Sequence, residues 1–190
     1  MLRKLTFSIL FLLTAFTVPA AAGEEADADQ EQEERETFTA EDIPAPIADA
    51  QVGDWAQYTR ANGSTSRLTV VERWSEHGDD HLIIENLITS GKKRRRERVA
   101  SEDVVSVKER VADARDLGPN DFITRSEVLV AGRKLNVLVV HYHEGGELVR
   151  QSYFSDRVPI YGLVRGIAIE GNKKTVVLNL KEYGFADDDE

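Results

Sequence analysis

The stretch "SEVLVAGRKLNVLVVHYHEGGELVRQSYFS", residues 126–155, decides the fold. Its three segments alternate apolar and polar residues at a period of two, which is typical of β-strands with one buried face. The links between them, Ala131-Gly132 and Gly145-Gly146, are each two residues long and contain glycine. Such links favour tight hairpins. The stretch therefore predicts three consecutive antiparallel strands and excludes parallel neighbours in this part of the chain.

The same pattern recurs on both sides of this stretch. Before it come three alternating segments, 52–60, 67–76 and 81–89, and a fourth of strand-like length that ends at Val99; after it, "LVRGIAIE" turns at "GN" into "KKTVVLNLKEYG". A long meander twists and must curl or close, because exposed edges invite aggregation. We therefore predict a mainly β protein: a curved, half-barrel-like antiparallel sheet of eight or nine strands.

One segment, "SEDVVSVKERVADARDLGP", has a helical spacing instead. Its apolar positions recur at intervals of three and four: Val104, Val107, Val111 and Ala114. Ser101 is a suitable N-cap, and Gly118-Pro119 supplies a stop. The pattern predicts one amphipathic helix over about residues 102–117, lying across the concave side of the sheet.

The first 22 residues have the organisation of a secretory signal peptide. Arg3 and Lys4 precede an apolar run, Leu5 to Val18, and Ala20 to Ala22 give the small residues of a cleavage site. The run is shorter than the roughly 20 apolar residues that span a bilayer. We therefore expect an exported, soluble protein, periplasmic or extracellular, with no transmembrane segment once the signal is removed.

Charge divides the rest of the chain. Residues 24–42 contain ten acidic residues and one basic residue, whereas residues 43–186 are nearly neutral. An acidic segment with few apolar residues cannot bury enough surface to order itself. We expect a disordered acidic spacer over residues 23–46, a single β-rich domain over 47–186 and an acidic tail over 187–190.

No catalytic constellation is evident in the sequence. The absence of cysteine excludes thiol catalysis and cysteine-ligated zinc. The serines lie outside a Gly-x-Ser-x-Gly elbow, and no phosphate-cradling glycine loop precedes a helix. We therefore expect a non-enzymatic protein without a cofactor.

The basic residues are concentrated in one place: Lys92, Lys93, Arg94, Arg95, Arg96 and Arg98. In a strand, alternate residues point to opposite faces, so both faces would be charged. Three interpretations remain open: a solvated edge that blocks aggregation, a counterpart of the acidic flank, or a contact for anionic lipid headgroups. Nucleic acid is a poor fit, because no aromatic residues interleave with the charges.

Two further sets of side chains are candidates for binding. The four histidines, His77, His81, His141 and His143, would form a zinc or copper site only if the fold brings them together; separate, exposed histidines are the alternative. The apolar residues of the sheet would line a ligand pocket if the concave face is incompletely filled; the candidates are Trp55, Leu68, Val70, Trp74, Tyr153 and Tyr161. Leu68, Val70 and Trp74 are expected on one face of their strand.

The two ends of the domain resemble a known family. "VGDWAQYT", residues 52–59, and "RQSYFSDRVPIYGLVRGIAIEGNKKTVVLNLKEYG", residues 150–184, are similar to segments of exported β proteins of the periplasmic lipoprotein-carrier (LolA-like) superfamily. The resemblance implies an antiparallel half-barrel with a helical lid over an apolar concave face. It does not by itself specify a function.

Two main functional hypotheses follow, and a third, a metal-dependent enzyme, requires the four histidines to converge. In the first, the concave face binds a lipid, a lipoprotein acyl chain or another apolar ligand. In the second, the protein is an interaction module of the cell envelope that contacts a partner protein through the basic strand, residues 92–98, and the acidic flank.

Overall fold

The computed structural model describes residues 36–91 and 96–186. Its regular elements are β1 (Trp55–Arg60), β2 (Thr65–Glu76), β3 (Asp79–Ser90), β4 (Glu97–Ser106), α1 (Val107–Arg115), β5 (Phe122–Val130), β6 (Arg133–Glu144), β7 (Glu147–Phe154), β8 (Leu163–Glu170) and β9 (Lys173–Gly184). Two short 3-10 turns, Ala40–Asp42 and Pro46–Ala48, precede β1. All nine strands belong to one antiparallel sheet in the order β4-β3-β2-β1-β9-β8-β7-β6-β5. The predicted fold class is confirmed.

The hairpin links adopt the backbone that their sequences favour. Both residues of His77-Gly78 have positive φ, at 54° and 82°, and so do both residues of Ala131-Gly132, at 48° and 80°. Two successive positive φ values define the type I′ turn, whose twist matches that of the flanking strands. Gly132 supplies this conformation without strain.

The sheet curls until strands that are distant in its order meet. Ala56 and Tyr58 of β1 belong to the same buried cluster as Val128 of β5 and Leu135 of β6. Since β1 is separated from β6 by three intervening strands, only a strongly curved sheet brings these side chains into contact. The resulting cluster fills one part of the space that the sheet encloses.

A second buried cluster forms where the segment before β1 and α1 cover β2 and β3. Val70, Leu82 and Ile84 of the sheet pack against Ile47 and against members of α1 and the β7–β8 loop. Val70 and Leu82 have exposed fractions of 1% and 0%. This part of the inner face is therefore also occupied by side chains of the chain itself.

Residues 36–50, the N-terminal strap, pack on the domain. The sequence predicts a spacer as far as residue 46, and that boundary is wrong. Ile43 is only 1% exposed and packs with Ile123 and Val140, with Phe38 beside them. Phe38 and Ile43 anchor this part of the strap, and Ile47, which is 3% exposed, anchors the next part in the second cluster. The remaining residues of the predicted spacer, 23–35, lie outside the described residues, as do the predicted signal peptide, 1–22, and the predicted acidic tail, 187–190.

The helix begins five residues later than the sequence predicts. Residues 102–106 belong to β4 and pair with β3, and Ser106 rather than Ser101 is the N-cap, because its hydroxyl accepts from the Glu109 amide at 3.1 Å. Val107 and Val111 do pack on the second cluster, whereas Val104 is 68% exposed. Cross-strand pairing with β3 outweighs the helical spacing at these positions.

No helix within the described ranges is both long enough and apolar enough to cross a membrane.

Candidate functional site

A cavity of about 450 Å³ lies between the N-terminal strap and strands β5–β7. We call it the strap cavity. Its apolar lining comes from Phe38 and Ile43 of the strap and from Leu138 and Phe154 of β6 and β7. Arg115 and Arg125 contribute to the polar part, together with carboxylates. The cavity is thus amphipathic: one part of its lining is apolar, and the other part carries charged groups.

A 3-10 turn shapes the strap where it borders the cavity. The Thr39 amide donates to Asp42 Oδ2 at 2.7 Å, and the Thr39 hydroxyl donates to the same oxygen at 3.0 Å. These bonds, first the one from the amide, lower the pKa of Asp42. The turn directs Ile43 into the cluster with Ile123 and Val140. The prolines that follow, Pro44 and Pro46, restrict the backbone of the strap.

Two arginines of the domain hold the strap by its carboxylates. Arg115 Nη1 lies 2.6 Å from Glu41 Oε2, and Arg125 Nη1 lies 2.8 Å from Glu36 Oε2. The Arg125 guanidinium also lies 5.2 Å from the Phe38 ring centroid. Arg115 Nε is buried and has no hydrogen-bond partner among the described residues. One donor beside the cavity is therefore unsatisfied.

A third arginine fixes the other end of the strap. Arg73 Nη1 donates to the Ala50 carbonyl at 2.6 Å, and Nη2 donates to Ala48 O at 3.0 Å and to Asp80 Oδ2 at 2.5 Å. Asp80 also accepts from the Ser75 hydroxyl. The hydrogen bond from Ser75 and then that from Arg73 lower the pKa of Asp80. The strap is therefore held firmly at residues 48–50.

The six predicted pocket residues do not line the strap cavity. Val70 is buried in the second cluster, and Leu68 is partly buried between the first and second clusters. Tyr153 and Tyr161 are partly buried and pack against the first and second cluster, respectively. These four side chains fill the interior and do not surround an open groove.

The two tryptophans face away from these clusters. Trp74 is expected on the same face as Leu68 and Val70, and this is wrong, because β2 has a bulge between Val70 and Glu72. A bulge adds one residue and reverses the faces beyond it. Trp74 consequently lies opposite His81, on which it stacks at 5.3 Å between ring centroids.

Trp55 likewise lies on the opposite face from its buried neighbour Ala56. The Arg67 guanidinium covers its ring at 4.0 Å from the centroid. Neither tryptophan is therefore available to an apolar ligand inside the sheet.

The basic stretch is only partly described. Lys92, Lys93, Arg94 and Arg95 lie outside the described residues, whereas Arg96 and Arg98 are exposed. Arg98 belongs to β4, the edge strand, in which residues 97–104 are exposed on both faces. The prediction that this strand is not a core strand is confirmed for its described part.

The structure does not bring the four histidines together. His81 stacks on Trp74, and His77 is exposed in the β2–β3 turn. His141 stacks on Phe122 at 4.3 Å between centroids, and burial lowers its pKa. Within the described part of the chain, no group of three or more histidines or carboxylates could hold a metal ion.

The residues that border the strap cavity were not singled out by the sequence. A usable signal does exist: Phe38 and Ile43 are the first large apolar residues after the acidic run that starts at Glu24. Arg115 and Arg125 carry no such signal, since they are two of many charged residues on the surface. Their role depends on the fold.

No known family model, curated protein or solved structure matches this chain.

Proposed function

We propose that this chain is an exported, non-enzymatic protein that binds a lipid or another apolar ligand. The strap cavity would hold a single acyl chain of that ligand. The resemblance of residues 52–59 and 150–184 to LolA-like proteins supports this ligand class. Export rests on the signal peptide expected over residues 1–22. The single observation that carries the proposal is the amphipathic cavity beneath the strap.

The size of the strap cavity suits a small ligand. Its volume of about 450 Å³ lies within the range of roughly 300–1,000 Å³ that is usual for ligand pockets. The rest of the enclosed space is filled by the first two buried clusters, whose side chains include Ala56, Leu82 and Val164 at 0% exposure. One acyl chain is therefore a better fit than a multi-chain lipid.

Of the charged groups that line the cavity, the guanidinium groups of Arg115 and Arg125 suit the head of an anionic amphiphile, whereas the carboxylates of Glu41, Asp42 and Asp156 do not. Arg115 and Arg125 are paired with Glu41 and Glu36 of the strap. A ligand carboxylate or phosphate offers these guanidinium groups the same kind of partner, with two parallel hydrogen bonds. The anionic head of such a ligand competes with the carboxylates of the strap for the two arginines. Its acyl chain packs against the apolar wall of the cavity.

The first test is the identity of what the protein carries. The mature chain, residues 23–190, is purified without detergent, and its bound lipids are extracted and identified by mass spectrometry. Binding of a fluorescent fatty-acid probe is measured in parallel. We expect stoichiometric probe binding; a ligand-free protein that does not bind the probe contradicts the proposal.

A matched pair of variants locates the binding. Ala45→Phe places a large side chain in the strap cavity, whereas Ala61→Phe adds the same side chain to the exposed β1–β2 turn. We expect Ala45→Phe to weaken probe binding by about tenfold or more, since the ligand and the ring compete for the same space. Equal affinity of the two variants would place the ligand elsewhere.

A second candidate function is favoured by the state of β4. This edge strand has no neighbour on one side in the described part of the sheet, and Val99 and Val104 are 62% and 68% exposed. An open edge can accept a strand from a partner protein. In this hypothesis the chain is an envelope interaction module that uses the basic strand and the acidic flank.

Charge reversal separates the two candidates. Replacement of Arg94, Arg95 and Arg96 by glutamate should abolish binding of an envelope partner and leave fatty-acid binding intact. If binding to every candidate envelope protein survives the reversal, the interaction hypothesis is wrong.

A further inference from the structure

A separate cavity of about 430 Å³ lies on the face of β1–β4 opposite the buried clusters. Four cationic side chains contribute to it: Arg67 of β2, Arg96 immediately before β4, Arg98 of β4 and Lys181 of β9. Thr65 and Thr89 supply hydroxyl groups. We call it the basic pocket. None of its residues lines the strap cavity.

Strand register explains why these side chains converge. Thr65 pairs with Thr89, and Thr89 pairs with Arg98, so the three residues form one row across β2, β3 and β4. Arg67 lies two residues beyond Thr65 and therefore points to the same face. The intervening residue, Ser66, is buried on the other side of the sheet.

Among the residues that the structure describes, Arg67, Arg96 and Arg98 form no ion pair. The Arg67 guanidinium lies over the face of Trp55, which orients it without neutralising its charge. The three guanidinium groups are exposed to solvent, and together they give this cavity a positive potential that attracts anions.

The nearby acidic side chains do not neutralise the pocket. Glu182 Oε1 lies 3.1 Å from Lys181 Nζ and 3.5 Å from Gln57 Nε2, so it is already engaged at one end of the pocket. Glu85 and Glu102 pair with each other in the next row across the strands, beyond Arg67. Their carboxylates therefore mark the end of the positively charged surface on that side of the pocket.

We propose that the basic pocket binds a phosphate group. Guanidinium groups match the oxygens of phosphate with paired, charge-assisted hydrogen bonds, and the threonine hydroxyls can donate further bonds. The chemistry is shared by inorganic phosphate and by the phosphate of an anionic lipid headgroup. The proposal is independent of the proposed function, because it concerns the other face of the sheet.

Two probes distinguish the sources of phosphate. Binding of inorganic phosphate to the mature chain is measured by isothermal titration calorimetry, with chloride held constant. Binding to vesicles of phosphatidylcholine with phosphatidylglycerol is measured by sedimentation, with pure phosphatidylcholine vesicles as the reference. Binding in the first assay supports a soluble phosphate, and binding in the second supports a lipid headgroup.

A charge-matched pair of variants tests the site. Arg67→Gln/Arg98→Gln removes two positive charges from the pocket, whereas Lys173→Gln/Lys174→Gln removes two from the exposed β8–β9 hairpin. We expect the first variant to bind the successful probe at least about tenfold more weakly, because each lost charge-assisted bond weakens binding several-fold. The second variant should bind as the wild type does.

Two results overturn the proposal. One is the absence of binding to both probes at low ionic strength. The other is an equal loss of affinity in the two variants, which would show that net charge and not the pocket attracts the anion. Far-ultraviolet circular dichroism of each variant confirms that it is folded before binding is measured.

Discussion

Arg115 and Glu41 join two segments that are 74 residues apart in the chain, with 2.6 Å between Arg115 Nη1 and Glu41 Oε2. Arg115 ends α1, and Glu41 lies in the 3-10 turn of the N-terminal strap. Arg115 also donates to the Glu41 carbonyl at 3.4 Å. The ion pair therefore joins the strap to the C-terminal end of α1, beside the strap cavity.

Removing this pair should loosen the strap without unfolding the domain. We expect Arg115→Gln and Glu41→Gln each to cost less than about 1 kcal/mol of unfolding free energy, because exposed ion pairs contribute little. Glu41 is 78% exposed in its side chain. Hydrogen exchange should nevertheless accelerate at the amides of residues 42 and 43. Unchanged exchange in both variants would show that the pair does not hold the strap.

Truncating the main apolar anchor of the strap should be costly. Ile43 is 1% exposed. We expect Ile43→Ala to lower the free energy of unfolding by about 2–5 kcal/mol in urea titrations, through lost burial and the cavity left behind. Val52→Ala is the control, since Val52 is 51% exposed and should change stability by about 0.5 kcal/mol or less. Similar costs for both variants would mean that the strap does not stabilise the fold.

Tyr58 carries a polar group that the core does not satisfy. Its side chain is 2% exposed and its hydroxyl has no hydrogen-bond partner among the described residues, while burial raises its pKa. Tyr58→Phe should therefore be neutral or stabilise the protein by up to about 1 kcal/mol in urea denaturation. The control is Leu180→Ala, because Leu180 is the cross-strand neighbour of Tyr58. This substitution should lower the free energy of unfolding by about 2–5 kcal/mol, which shows that the assay detects changes at this place. A clear loss of stability in Tyr58→Phe would reveal a partner of the hydroxyl.

Acid should weaken the network that fixes the end of the strap. The hydrogen bond from Ser75 and the contacts with Arg73 lower the pKa of Asp80 below its usual 3.8. The folded state therefore keeps this carboxylate charged where the unfolded state has bound a proton. Its stabilising contribution is complete above the unfolded pKa and is lost as the pH falls through the folded pKa. Asp80→Asn should flatten the pH dependence of unfolding below about pH 4; identical slopes would contradict the assignment.

The fold class could be predicted from local sequence patterns, because short hairpin links set the register between neighbouring strands. The links Ala131-Gly132 and Gly145-Gly146 each join strands that are adjacent in the sheet, so alternation and turn chemistry sufficed there. The helix boundary was wrong because the spacing of Val104 and Val107 continues across the junction between β4 and α1.

The candidate sites were predictable only in part. Trp74 was assigned to the wrong face because a β-bulge leaves no mark in an alternating sequence. Arg115 and Arg125 meet the strap only after the sheet has curled, which is a long-range consequence of the fold. The basic pocket likewise joins Arg67 and Lys181, from strands β2 and β9, to a β4 cluster that was recognisable in the sequence.

The most direct test of acyl-chain binding in the strap cavity is nuclear magnetic resonance with a spin-labelled fatty acid. A protein comprising residues 23–190 is labelled with ¹³C at the isoleucine, leucine and valine methyl groups and titrated with 5-doxyl stearate. We predict selective broadening of the Ile43 and Leu138 methyl signals, which line the cavity, while those of exposed Val104 stay sharp. Sharp Ile43 and Leu138 signals at saturation, or broadening of Val104 to the same extent, would contradict the account.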